Sequence, residues 1–251
     1  MSQQVIVDRD LEFRGVALYQ PNVKGPMMTE LKIFDETFFT DADEHDWDEE
    51  ASNGCTIDHS AVDGGATTLV TGATNKDCGE LSHTAQWSPA SNCGVEVKMK
   101  VSRITNLCIC GGFVDAKEDL NDHVAMEISG TTLYAATKAN DFAGFAFDTD
   151  QDTDVWYVAW SKNGAEGTPV AAAGTLAPVA DTYFKIRIQT DSDGNVLYYY
   201  NGVCVGRAYT ASVGAIAHTA TDLLTPYIGC ISRTTSALTV TISRITTWQE
   251  N

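Results

Sequence analysis

The sequence predicts an all-β sandwich on three observations. The first is Tyr183–Gly206, which reads YFKIRIQTDSDGNVLYYYNGVCVG. Phe184, Ile186 and Ile188 alternate there with Lys185, Arg187 and Gln189, the period-two pattern of a strand with one face in a core and one in water. Asp193-Gly194 separates this run from Val196–Tyr200, and glycine accepts the positive φ that a tight hairpin needs. Asn201-Gly202 then turns the chain into Val203-Cys204-Val205, so three strands follow as a meander. The second observation is the even spacing of short β-rich runs with turn signals between them, the pattern of a sandwich or jelly roll. The third is the closing run through Trp248, where Leu238, Val240 and Ile242 alternate. Such a last strand is expected to pair beside the N-terminal part of the same sandwich.

In chain order, Met1–Glu30 differs from the rest. Gln20-Pro21-Asn22 and Lys24-Gly25-Pro26 break it, and only Val5–Val7 and Gly15–Tyr19 read as extended. Residues 1–30 are expected to form an extended N-terminal arm, with Arg9, Phe13, Arg14 and Tyr19 as anchors of the kind enriched at protein interfaces. The other reading is a first edge strand and loop of the sandwich itself. The sandwich is assigned to 31–251. Leu31–Thr40 reads as a strand, followed by the acidic run DADEHDWDEE at Asp41–Glu50. Ala66–Val70, Glu80–Trp87 and Val95–Ile104 follow, the last with Val95, Val97, Met99 and Val101 facing one way. Leu107–Val114 is apolar enough for a central strand, and Asp115–Asp122 is the one helix-like piece. His123–Ile128, Thr131–Thr137, Gly144–Phe147 and Val155–Lys162 continue the strand series. Ala171–Ala180, small and Pro-punctuated, reads as a loop or edge piece.

The 251-residue chain is 43% hydrophobic, enough for a sizeable core in one domain. Its formal charge of -18 disfavours phosphate backbones and anionic lipid surfaces, so neither nucleic acid nor membrane is an expected partner. No apolar run approaches the roughly 20 residues of a membrane span. The first residues lack the basic start and apolar block of a secretory signal. The seven cysteines form an odd set without CxxC pairs. Cys108, Cys204 and Cys230 sit in apolar strand-like runs as small hydrophobes, so folding in a reducing cytoplasm is expected.

The segments GFAFDTDQDTDVWYVAW, APVADTYFKIRIQTDSDGN and VLYYYNGVCVG, within Asp141–Gly206, resemble a group of tailed-phage virion proteins. The close, LLTPYIGCISRTTSALTVTISRITTWQ, fits the same pattern, and the likeness spans roughly Leu107–Trp248. It implies a concanavalin-A-like (laminin-G-like) jelly roll and a non-enzymatic structural role. A head decoration or cement protein on the capsid exterior is expected, with the major capsid protein as partner and a homotrimer as the assembly. A host-surface glycan is the alternative ligand.

That fold invites comparison with glucanases. Glu44-His45-Asp46-Trp47-Asp48-Glu49 has the E-x-D-x-x-E spacing that resembles their catalytic strand. Retaining hydrolysis needs two carboxylates about 5–5.5 Å apart, and Glu44 and Glu49 are the candidates. Against them, the motif lies in an unbroken acidic run before almost every convincing strand, and a charge run is usually a solvated face. No catalytic residue is therefore assigned. Metal has two candidates, Asp148-Asp150-Asp152-Asp154 and Asp191-Ser192-Asp193-Gly194-Asn195. The first has Thr153 where a calcium loop needs glycine, and the hairpin explains the second. Neither metal nor cofactor is expected. Trp156, Tyr157 and Trp160 with Tyr198–Tyr200 could stack sugars, but alternation reads first as core.

Overall fold

In the computed structural model the alternating runs become strands of two antiparallel sheets, with a small third sheet beside them. The structure describes residues 31–38, 47–52, 54–59, 65–115, 123–130, 132–135, 140–191, 195–208 and 223–250. The arm, with Arg9, Phe13, Arg14 and Tyr19, lies outside the described residues. So do Glu44, His45 and Asp46, and all but the first residue of the helix-like piece at 115–122.

The chain runs through β1 (Leu31–Glu36), β2 (Asp48–Ala51), β3 (Thr56–Asp58), β4 (Thr67–Val70) and β5 (Cys78–Ser82), then a 3-10 turn at Pro89–Ser91. β6 (Gly94–Val101), β7 (Leu107–Val114), β8 (Met126–Ser129) and β9 (Thr132–Ala135) follow. Next come β10 (Phe142–Asp148), β11 (Tyr157–Lys162), β12 (Ala165–Glu166) and β13 (Val170–Ala171). β14 (Phe184–Thr190), β15 (Val196–Tyr200), β16 (Val203–Ala208), β17 (Thr225–Ser232) and β18 (Thr239–Glu250) complete it.

The first sheet has the order β16-β15-β14-β6-β18-β4-β3, with β1 also on β18. The second has the order β12-β11-β10-β7-β17-β5-β2, with β13 also on β11. The consecutive pairs β4/β5, β6/β7 and β17/β18 each cross between sheets, the wrapping of a jelly roll. β14 pairs with β15 and β15 with β16, the meander that the sequence pattern requires. β18 closes against β1, β4 and β6.

Period two then decides the core. Val95, Val97, Met99 and Val101 of β6 and Phe184, Ile186 and Ile188 of β14 face Leu107, Ile109 and Phe113 of β7 and Phe145 and Phe147 of β10. Trp156 ties the layers together, with ring centroids 5.9 Å from Phe145 and 5.5 Å from Phe184 in edge-on contacts. Phe145 meets Tyr198 of the opposite sheet at 5.7 Å. Trp156 and Tyr198 are thus core residues rather than a sugar platform.

Three expectations are corrected. Among the described residues β8 and β9 do not extend either large sheet; they pair with each other as a separate hairpin. Alternation fixes which way side chains point but not whether a hairpin joins a sheet edge or lies on a face. Arg187 points outward with Lys185 and Gln189 but is buried, its guanidinium 3.9 Å above the Tyr199 ring. Cys204 is exposed, because β16 is an edge strand whose register shifts beside Tyr198/Tyr199.

Two adjacent central strands meet through glycine. Gly144 of β10 pairs with Gly112 of β7, and a Cβ on Gly144 would lie 2.4 Å from the Gly111 carbonyl oxygen. Gly144→Ala is expected to destabilise by about 3 kcal/mol, read from the urea midpoint, because the clash is with backbone that cannot yield. Alkali offers a second check. Burial pushes the Cys93 thiol up to about 12, against a partial offset from its Thr190 hydrogen bond, and the Cys55 thiol up to about 11. Above an ordinary thiol value near 9 the unfolded chain releases these protons and the folded chain keeps them. Stability is therefore expected to be full below pH 9 and to fall as pH rises toward 11 and 12. Cys93→Ala should flatten that decline in urea titrations at fixed temperature.

Candidate functional site

The central strands β5, β7, β10 and β17 of the second sheet are buried on both faces. Side chains pointing away from the sandwich core include Cys108, Cys110 and Val114 of β7, Phe142 and Ala146 of β10, and Tyr227 and Ile231 of β17. They pack with Val124, Met126 and Ile128, which run along and into β8. Gly229 permits this approach, since a Cβ there would come 2.7 Å from the Val124 side chain. The Tyr227 hydroxyl accepts from the Ala125 N–H at 2.9 Å and donates to the Glu80 carboxylate. Burial and then the Glu80 charge hold that phenol well above its usual range, so it stays a donor.

At one end of this face the hairpin is clamped by charge. Arg233, just after β17, donates from Nη2 to Glu127 Oε2 at 2.7 Å and to Asp148 Oδ2 at 2.6 Å. Its Nε donates to Asp148 Oδ1 at 3.2 Å and lies 3.4 Å from Asp150 Oδ2. Asp148 also accepts the backbone N–H groups of Ile128 and Asp150, and His123 Nδ1 lies 2.7 Å from Glu127 Oε1. Burial alone would push Arg233 down. Asp148 and Glu127 reverse that and hold the guanidinium protonated.

This geometry answers the question raised by Asp148-Asp150-Asp152-Asp154. Asp148 is fully buried and Asp150 about half exposed, both against Arg233, while Asp152 and Asp154 are exposed. A turn after β10 ends the alternation, so the four carboxylates do not converge. Among the described residues no group of three or more His, Cys, Asp or Glu side chains is arranged to hold a metal ion. Sequence spacing could not reveal the clamp, because Arg233 is 85 residues from Asp148 and 106 from Glu127.

Glu49 of the acidic run also differs from a purely solvated side chain. β2 is an edge strand, and Glu49 is in register with the core residue Leu81. Its carboxylate meets His59 Nε2, and His59 Nδ1 meets the Thr67 hydroxyl of β4 in the other sheet. The order carboxylate, imidazole, hydroxyl matches a nucleophile relay. Thr67, however, is fully buried, so its hydroxyl is closed to substrate. The three groups staple the sandwich edge, beside Phe34, Phe38, Trp47 and His83.

No family model and no curated protein matches the chain. Solved structures do share its fold, which is a concanavalin-A-like jelly-roll sandwich. The carbohydrate recognition domain of Emp47p is 12% identical with a TM-score of 0.57, over 89% of this chain and 98% of that one. A β-1,3-glucanase from Mycobacterium marinum is 9% identical with a TM-score of 0.55, over 86% and 97%. A protein of unknown function from Shewanella oneidensis MR-1 is 12% identical with a TM-score of 0.57, over 94% and 93%. At such identities the likeness shows the fold alone, and one fold carries both recognition and hydrolysis.

The clamp makes a clear prediction. Arg233→Met leaves Asp148 and Glu127 buried without their cation and is expected to cost about 3–5 kcal/mol. Adding Asp148→Asn and Glu127→Gln should recover part of that loss. A triple variant as unstable as the sum of its parts, measured by chemical denaturation, would mean that the groups do not act together.

Proposed function

We propose that this chain is a non-catalytic binding sandwich of a virion, and that its ligand is a glycan. One observation carries the binding reading: no described central strand presents two carboxylates on one face. Along β7 and β17 the side chains facing away from the core include Cys108, Cys110, Val114, Thr225, Tyr227 and Ile231, with no acid among them. β6 has Glu96 alone, in an ion pair with Lys185 at 3.1 Å. Glu80, Glu127, Asp148 and Glu49 are each held by Tyr227, Arg233 or His59. Retaining and inverting hydrolysis both need a paired acid and base with room for substrate between them. A fold shared with a carbohydrate recognition domain suits the glycan reading.

The virion setting rests on the resemblance of Asp141–Gly206 to tailed-phage proteins. A second reading, decoration of the capsid exterior through the major capsid protein, is favoured by the net charge. A protein carrying -18 would be repelled from packaged DNA. In that reading the arm supplies attachment and the copies assemble as trimers.

A glycan array combined with reducing-sugar assays on β-glucans tests the proposal. Binding without hydrolysis is the expected result. Hydrolysis that disappears in Glu49→Gln would replace it with a glucanase. Labelling of purified virions locates the protein on head or tail.

A further inference from the structure

The first sheet differs from the second in having an outer face that carries charge. Arg244 of β18 is in register with Lys98 of β6, and Lys98 is in register with Lys185 of β14. Three cations thus stand abreast across three adjacent strands. Arg187 lies next to Glu96 one pair along, and Lys100 flanks the row on its other side. The acids on this patch are already engaged. Asp35 accepts two bonds from Arg244, at 2.8 and 2.7 Å, and Glu96 is paired with Lys185. Lys98 and Lys100 share the ring of Tyr183, each with Nζ 5.3 Å from its centroid, and form no ion pair among the described residues.

Like charges directly opposite on a sheet destabilise it. This chain has 34 acidic residues against 16 basic ones, so the row is not a by-product of a generally basic composition. Asp35 and Glu96 offset Arg244 and Lys185 in that row, which leaves Lys98 and Lys100 as the cations that the sheet itself does not explain, and such departures are expected at functional sites. We infer that the outer face of the first sheet, where Lys98, Lys100 and Lys185 lie beside Tyr183, is a binding surface for an acidic polysaccharide.

The inference rests on the binding reading above and names its ligand class. Strand separation of about 4.8 Å and about 6.7 Å between alternate residues set the spacing of the cations. That suits a chain bearing carboxylates or sulfates on successive sugars. Tyr183 is 41% exposed and lies among the lysines, an aromatic group of the kind on which a sugar can rest. The other occupant with complementary charge is the acidic segment 41–50 of a second copy, which becomes an outcome of the test.

The full chain is titrated with heparin, with polygalacturonate and with neutral dextran in about 50 mM salt, where screening is weak. Heparin or polygalacturonate is expected to bind, less tightly as salt rises, and dextran not. Lys98→Ser with Lys100→Ser should weaken binding at least about tenfold, as should Tyr183→Ala. The thermal midpoint of the lysine variant should hold or rise, which separates lost binding from lost folding. Undiminished binding by the double variant overturns the assignment of this face. Binding of neutral sugars alone overturns the ligand class and leaves the glycan reading standing, whereas no binding to any glycan removes both. Self-association in sedimentation that the double variant abolishes assigns the face to a second copy and overturns the proposal.

Discussion

The central strands of the second sheet are dry on both faces, and the buried polar contacts around them follow from that constraint. A buried carboxylate without a partner costs several kcal/mol, so each one on this sheet must be met from inside the chain. Glu80 is met by Tyr227, whose hydroxyl also takes the Ala125 N–H. Asp148 and Glu127 are met by Arg233. These contacts also hold down the Val124–Ile128 segment that makes the face dry. Cover and clamp depend on each other: without the segment the carboxylates face water, and without Arg233 the segment sits over unpaired charge.

The same constraint explains why some of the fold was legible in sequence and some was not. The meander through Tyr200 was legible because its first strand is wet on one side, so Lys185 and Gln189 alternate cleanly with Phe184, Ile186 and Ile188. Its turns carry their own chemistry. β7 was legible as a central strand because both faces are buried and its sequence is continuously apolar. The β8–β9 cover was not legible, since a hairpin on a face and a hairpin at an edge share one pattern. Arg187 defied alternation because Tyr199 lies over it, a contact that needs the register of β14 on β15.

Candidate chemistry was harder to read for a related reason. Charge runs suggested acid-rich sites at Glu44–Glu49 and Asp148–Asp154, where local density was high. Folding instead pairs acids with distant single residues: Asp148 with Arg233, Glu49 with His59 and across it Thr67. A lone arginine in RTTS or a lone histidine after TID carries no local signal. Only the sandwich topology, which brings the end of β17 beside the end of β10 through β7, puts these groups together.

The inner faces of the two large sheets form the sandwich core, and the outer side of β7, β10 and β17 is covered by the Val124–Ile128 segment. Among the described residues, the outer face of the first sheet is where Lys98, Lys100 and Lys185 stand together on adjacent strands. On a protein of net charge -18 the cations there act at short range. At physiological salt a screening length of about 8 Å confines each charge to its neighbourhood, so a ligand already in contact feels Lys98, Lys100 and Lys185 more than the distant acids. A ligand still in solution feels the net negative field, which slows the approach of any polyanion. On the proposed virion reading, slow capture and local hold would suit a module displayed in many copies, where avidity between neighbouring sheets compensates for weak single contacts. The physics of the surface thus favours repeated, shallow attachment over a single deep site.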